Sequence, residues 1–142
     1  MKQNKEQSLA IIDLLKPMQK EDRIKLEQRC TWRQVTPNEV ILDRQSESSE
    51  IYFVVSGKVR VVNYSMSGRE VTFDDMESGQ YFGQLAALDN QPRSASVIAV
   101  EDSLLASLGR TSFKELLLSC PKISLNLLVE MAQIIRTSTE RI

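Results

Sequence analysis

The chain contains no histidine. Imidazole supplies many protein metal ligands and most general bases that work near neutral pH. Its absence argues against a metal-dependent or acid–base enzyme, and neither a metal nor a cofactor is expected. Cysteine is nearly absent too. Cys30 and Cys120 do not make a disulfide framework, and reduced thiols in a cytoplasmic protein are the expectation. Long apolar runs are missing. The stretch Leu9 to Leu15 is broken by Asp13 and closed by Lys16-Pro17, so it resembles neither a secretory signal nor a membrane span. Glycine is scarce, and none precedes Gly57.

What is present is ordinary globular material: 142 residues, 42% hydrophobic and 26% charged. That is the size of one domain and enough to bury a core. The net charge of −1 is unevenly spread. Residues 1–30 carry seven cations and five acids, residues 31–109 six and eleven, and residues 110–142 five and three. An acidic middle argues against a nucleic-acid surface there.

Apolar spacing predicts a helix over residues 5–16, with Leu9, Ile12 and Leu15 on one face, stopped by Pro17. A second helix is predicted from Lys20 to Arg29. From Cys30 the pattern turns to β. Trp32 to Val35, a turn at Thr36-Pro37-Asn38-Glu39, and Val40 to Leu42 are followed by a polar loop, Asp43 to Glu50. Ile51 to Val55 and Lys58 to Val62 flank Ser56-Gly57, a pattern that predicts a tight hairpin. A second hairpin is predicted through Ser65 to Gly68, and Ser78-Gly79 makes a turn before Tyr81-Phe82. Two more strands, Ser94 to Val100 and Leu104 to Leu108, meet at Glu101-Asp102. About eight short strands at turn spacings of roughly 8–12 residues suggest a sandwich or jelly-roll barrel with a pocket at its mouth. After Gly109 the spacing becomes helical. Thr111 is a candidate cap for a short helix, and Ser119 with Pro121 for the start of a last one. Leu127, Leu128, Met131, Ile134 and Ile135 form an apolar band wider than a barrel alone would bury. Leu128, Ile135 and Ile142 repeat at intervals of seven, with Met131 and Ser138 three residues after the first two.

The most informative stretch runs from Phe82 to Ala95. An aromatic leads into Gly83, an apolar helix-favouring run Leu85 to Leu88 follows, and a polar turn brings Pro92 and Arg93 to a β-type segment. A helix start offers unpaired N–H groups to an anion. Gly83 permits close backbone approach, and Arg93 is a planar fork of donors suited to phosphate. Arg93 is also the only cation between Glu70 and Gly109, among seven acids. Pairing with a neighbouring carboxylate is the alternative role for such a residue. Asp74-Asp75 is not a catalytic pair, because adjacent strand residues point to opposite faces.

These residues resemble the phosphate-binding cassette of cyclic-nucleotide-binding domains, the family of the catabolite activator protein and the kinase regulatory subunits. The family reads Phe-Gly-Glu-aliphatic-Ala/Gly and then Pro-Arg-small-Ala. Here stand Phe82, Gly83, Gln84, Leu85, Ala86, then Pro92, Arg93, Ser94, Ala95. The resemblance covers roughly residues 10–142. It implies a mainly β fold with flanking α, a double-stranded β-helix (jelly-roll) barrel with N-terminal helices and one or two C-terminal helices. It implies that Arg93 grips a cyclic phosphate beside Ser94 and backbone amides, and that residue 84 meets the ribose 2′-hydroxyl. The Ser after the arginine, where Thr favours cyclic GMP in relatives, points to cyclic AMP. The implied division is a helical cap at 1–29, a β-roll at 30–109, and hinge and dimerisation helices at 110–142.

Two departures stand out. Gln84 replaces the usual carboxylate, which forfeits roughly 1 kcal/mol of a charge-assisted hydrogen bond. Ser46 stands near a usual loop glycine, and a positive φ there would strain it by about 1 kcal/mol. The expectation is a regulatory sensor for cyclic AMP or cyclic GMP, without catalysis or membrane attachment. It belongs to a transcription regulator or signalling protein, and this fragment binds no nucleic acid. It pairs as a homodimer through its last helix, which in the catabolite-activator branch leads to a DNA-binding domain. The alternative is the same fold without a working pocket, serving as a dimerisation or interaction scaffold.

Overall fold

A computed structural model describes residues 7–64 and 70–140. The predicted loop at Ser65 to Gly68, the start of the predicted first helix and the heptad position Ile142 lie outside the described residues. So does the side chain of Ser138.

Among the described residues, eight strands form two four-stranded antiparallel sheets. The first contains β1 (Thr31–Val35), β8 (Ser103–Leu108), β3 (Ile51–Ser56) and β6 (Tyr81–Phe82), in that order. The second contains β2 (Val40–Leu42), β7 (Ser96–Ala99), β4 (Lys58–Tyr64) and β5 (Glu70–Glu77). Four α-helices among the described residues flank them: α1 (Lys20–Arg29), α2 (Gln84–Asp89), α3 (Arg110–Ser119) and α4 (Pro121–Glu140). The jelly roll expected from the sequence is thus present as two facing sheets, not as one closed ring of strands.

In the first sheet β3 and β8 are buried on both sides, which explains their nearly unbroken apolar runs, while Thr31 and Gln34 on the edge strand β1 stay exposed. Val35, Tyr52, Val54, Phe82 and Leu105 face the second sheet with Val59, Val97 and Ala99. Ile51, Phe53, Ala106 and Leu108 face the N-terminal segment and the C-terminal helices, where Phe113 and Ile123 are fully buried. Each buried Val, Leu, Ile or Phe side chain contributes about 1.5–3 kcal/mol of apolar burial.

Three local expectations are corrected. The segment before Pro17 is irregular, with only a 3₁₀ turn at Asp13–Leu15. Leu9, Ile12, Leu14 and Leu15 are all buried, and in a helix Leu14 would fall on the side opposite the other three, so one helical face could not bury all four. Its amides are satisfied from elsewhere: Leu9 N–H donates to a Glu27 carboxylate oxygen at 2.6 Å, and Asp13 N–H to Gly79 O at 3.0 Å. Next, Ser56-Gly57 is no hairpin. β3 and β4 belong to different sheets, so Gly57 (φ 91°) turns a corner between them. Its α-carbon lies against Ser103 and the Asp102 carbonyl, leaving no room for a Cβ. Finally, neither predicted cap acts at a C-terminal helix. Gly109 precedes α3 and Thr111 lies inside it, while Ser119 Oγ donates back to Leu116 O at 3.2 Å. Pro121 is the first residue of α4, as predicted. Among the described residues, no helix is long and apolar enough to cross a membrane.

Candidate functional site

The strand β6 delivers Phe82 to Gly83, whose φ of 82° turns the chain into α2. That helix lasts six residues and stops at Asn90, also left-handed at φ 58°, whose N–H returns to Ala86 O. Asp89 then accepts the Gln91 N–H at 3.0 Å, and the chain passes through Pro92 and Arg93 into β7. This bend brings all eight residues selected from the sequence, Phe82, Gly83, Gln84, Leu85, Ala86, Arg93, Ser94 and Ala95, to one cleft. Its volume is about 160 Å³, below the roughly 300–1,000 Å³ typical of small-molecule pockets. Leu42, Val61, Met76 and Val97 give its far wall an apolar lining, and Asn63 and Tyr81 add polar atoms.

Arg93 is only 4% exposed. A buried guanidinium requires acceptors, and it has them. Its Nε–H donates to Ser48 Oγ at 3.0 Å, Nη1 to Gly83 O at 3.1 Å, and Nη2 to Glu50 O at 2.8 Å. A Glu50 carboxylate oxygen lies 3.6 Å from Nη2. Of the five N–H donors of an arginine, three are thereby used, and one on each Nη has no hydrogen-bond partner among the described residues. The carboxylate pairing and the place in the cleft therefore coexist in one residue. Burial pulls the Arg93 pKa down, while the charges of Glu50 and Tyr52 push it back up. The Tyr52 ring centroid is 6.0 Å from Arg93 Cζ, and that ring stacks on Phe82 at 5.1 Å. Gly83 is needed for this packing: a Cβ there would sit 2.8 Å from Arg93 Nη1 and 3.0 Å from Glu50 O.

The loop of residues 43–50 is bound to the same arginine. Gln45 N–H donates to Arg93 O at 2.8 Å, and Arg93 N–H to Ser46 O at 2.9 Å. The positive φ expected at Ser46 falls instead one residue earlier, at Gln45 (φ 72°). Ser46 has no such strain, and its hydroxyl donates to Asp43 O at 2.7 Å.

No local motif marks Ser48, Glu50, Tyr52 or Tyr81. They reach Arg93 or the cleft because the loop folds back and because Tyr52 pairs with Phe82 across β3 and β6. Tyr81 also faces away from the cleft in one respect: its hydroxyl donates to Glu130 Oε2 on α4. Burial and then the Glu130 hydrogen bond raise the Tyr81 pKa. Beyond that contact α4 is divided. Ile123 and Leu127 are buried, whereas Leu125, Leu128, Val129, Ile134 and Ile135 are exposed.

Comparison with known proteins places this geometry. The family model described as cyclic nucleotide-binding domain matches residues 32–120. The cyclic AMP receptor protein of Thermus thermophilus is 37% identical over 86 residues, which are 61% of this chain and 40% of that protein. A cAMP-dependent protein kinase regulatory subunit of Colletotrichum orbiculare is 30% identical over 112 residues, 79% of this chain and 28% of that one. The crystal structure of the Thermus thermophilus catabolite activator protein superposes with a TM-score of 0.81 at 28% identity, covering 90% of this chain and 60% of that chain. The chain thus spans less than half the length of these two curated relatives.

Proposed function

The chain belongs to the cyclic nucleotide-binding domain family, and on that premise we propose that it is a sensor that binds cyclic AMP in preference to cyclic GMP. The observation that carries the reading is Arg93, a buried cation that lines the cleft and keeps two N–H donors without a hydrogen-bond partner among the described residues. A cyclic monophosphate carries one negative charge, and its exocyclic oxygens suit a planar donor fork. Ser94 and the amides beside it complete the phosphate grip. Gln84 meets the ribose 2′-hydroxyl through its amide oxygen, and the base lies along Val61 and Met76. The resemblance at Ser94 favours adenine over guanine.

The cleft is small for a whole nucleotide, so binding selects a rearranged cassette, a population shift between two packings. The Tyr81–Glu130 bond carries that shift to α4. We assign residues 1–29, 30–109 and 110–142 to the helical cap, the binding unit and the output helices. The output is a second copy of the chain on the exposed face of α4, within a cytoplasmic transcription regulator or signalling protein that performs no catalysis of its own.

A second reading has its own support. Glu50 partly neutralises Arg93 and Gln84 lacks the usual charge, as expected of a ligand-free scaffold. Calorimetric titration with both nucleotides separates the two. Saturable heat, with cyclic AMP the tighter ligand, is expected. No heat and no thermal shift at millimolar nucleotide overturns the sensor and leaves the scaffold.

A further inference from the structure

Ser48 lies in the stretch Gln45-Ser46-Glu47-Ser48-Ser49-Glu50, which reads in the sequence as an ordinary polar loop. In the structure this loop is a strap around one residue. Its acceptors alternate: Ser46 O takes the Arg93 backbone N–H, Ser48 Oγ takes Nε–H, and Glu50 O takes an Nη2 hydrogen. Residues 46, 48 and 50 of one loop thus each present an acceptor to the same arginine. Among these contacts only the one from Ser48 comes from a neutral side chain. Those from residues 46 and 50 are backbone carbonyls and survive substitution.

We propose that Ser48 is a positioning residue for ligand binding: its hydroxyl fixes the plane of the Arg93 guanidinium by holding Nε. The proposal rests on the reading of Arg93 as the phosphate ligand. A guanidinium is planar, so an acceptor on Nε and another on each Nη leave little rotation. With Nε held at 3.0 Å by Ser48 and each Nη bonded once at 3.1 and 2.8 Å, the two remaining N–H bonds are committed to directions outside that set. Pre-organisation of this kind raises affinity by removing an ordering cost from the binding step. Without the hydroxyl, Nε–H loses its partner in a largely dry site, and the side chain is free to turn the Nη hydrogens toward Glu50, whose carboxylate oxygen is only 3.6 Å away. The phosphate then competes with that carboxylate.

The test uses the full chain and the variants S48A and S48T, each titrated with cyclic AMP and cyclic GMP. S48A is expected to bind about tenfold more weakly, the worth of one hydrogen bond to a charged group, and S48T to restore most of the loss. A second readout needs no nucleotide. The Arg93 Nε–H resonance in a nitrogen–proton correlation spectrum is expected to be sharp and slow to exchange with water in the unmodified chain and in S48T, and shifted and fast in S48A. Unchanged affinity in S48A, or an Nε–H resonance indifferent to the substitution, overturns the proposal. If the unmodified chain binds neither nucleotide, the sensor reading fails and with it any role of Ser48 in binding. The resonance then decides separately whether Ser48 holds the arginine at all.

Discussion

Tyr81 and Glu130 join the cleft to the last helix: Tyr81 borders the cleft on β6, and its hydroxyl donates to a carboxylate on α4. Forty-nine residues separate the two in sequence. Ligand that moves the cassette must carry this bond with it or break it. In Y81F and E130Q, cyclic AMP affinity is expected to stay within about threefold, since one peripheral hydrogen bond is worth about 1 kcal/mol or less to the cleft. The response of α4 is expected to fall sharply. Hydrogen exchange across residues 121–140, with and without nucleotide, measures it. A response as large in Y81F as in the unmodified chain removes the bond from the coupling path.

The same tyrosine sets an alkaline limit on stability. Its pKa is raised, chiefly by burial and then by the bond to Glu130 and its charge. A raised folded-state pKa favours the neutral phenol in the native state. Its contribution is therefore complete below the ordinary tyrosine value of about 10 and is lost as pH rises above it. Urea unfolding between about pH 8 and pH 11 is expected to show the unmodified chain losing more stability than Y81F above about pH 10. Tyr52, also raised by burial, contributes in both chains and cancels. Parallel curves would place the Tyr81 phenol in water.

Much of this site was legible in the sequence because it is local. Phe82 to Ala86 and Arg93 to Ala95 lie within one bend of chain, and turn chemistry at Gly83 with a short helix brings them together without help from distant strands. The strand positions were legible for the same reason, as was α1. What stayed hidden depends on pairing over long separations. Two β-runs around a glycine fit a hairpin and a corner equally well; only β8 and β7, pairing with β3 and β4 respectively, decide between them at Gly57. Likewise, nothing near Ser48 announces Arg93, 45 residues away. The first segment reads as a helix in the sequence because Leu9, Ile12 and Leu15 fall at helical spacing, a pattern that hides a fourth buried residue, Leu14.

Arg93 serves both the fold and the cleft, so its replacement has two separable effects. R93A is expected to bind cyclic AMP at least tenfold more weakly, because a charge-assisted contact is deleted. It is also expected to lose about 2 kcal/mol of stability, since the Gly83 and Glu50 carbonyls lose their donor. G83A probes the same packing from the other side. Its Cβ would press on Nη1 at 2.8 Å, and a side chain at positive φ adds about 1–3 kcal/mol of strain. Chemical unfolding and calorimetry on both variants check this. Full stability in R93A would mean that water replaces the guanidinium at no cost.

The exposed face of α4 predicts assembly. Leu128 and Ile135 are 66% and 64% exposed and lie seven residues apart, on one face of the helix. A second copy of the chain offers the same stripe, and a two-fold pairing of α4 buries both. Light scattering is expected to give a dimer for the unmodified chain and a monomer for L128E/I135E. A monomer at high concentration in both would leave the stripe to another partner.

Gln84 lines the cleft at the first turn of α2, at the position where the resemblance implies a carboxylate. If its amide oxygen meets the ribose 2′-hydroxyl, restoring the charge strengthens that one contact. Q84E is expected to tighten cyclic AMP about fivefold, the equivalent of roughly 1 kcal/mol. The gain depends on the hydroxyl. With 2′-deoxy cyclic AMP the new carboxylate has no donor to meet and faces a phosphate of like charge, so Q84E is expected to bind that analogue no better than the unmodified chain. Two titrations with each chain give the four affinities of a double cycle. Equal gains for both nucleotides would show that position 84 acts on the cassette and not on the ribose, and no gain for either would move the sugar away from α2.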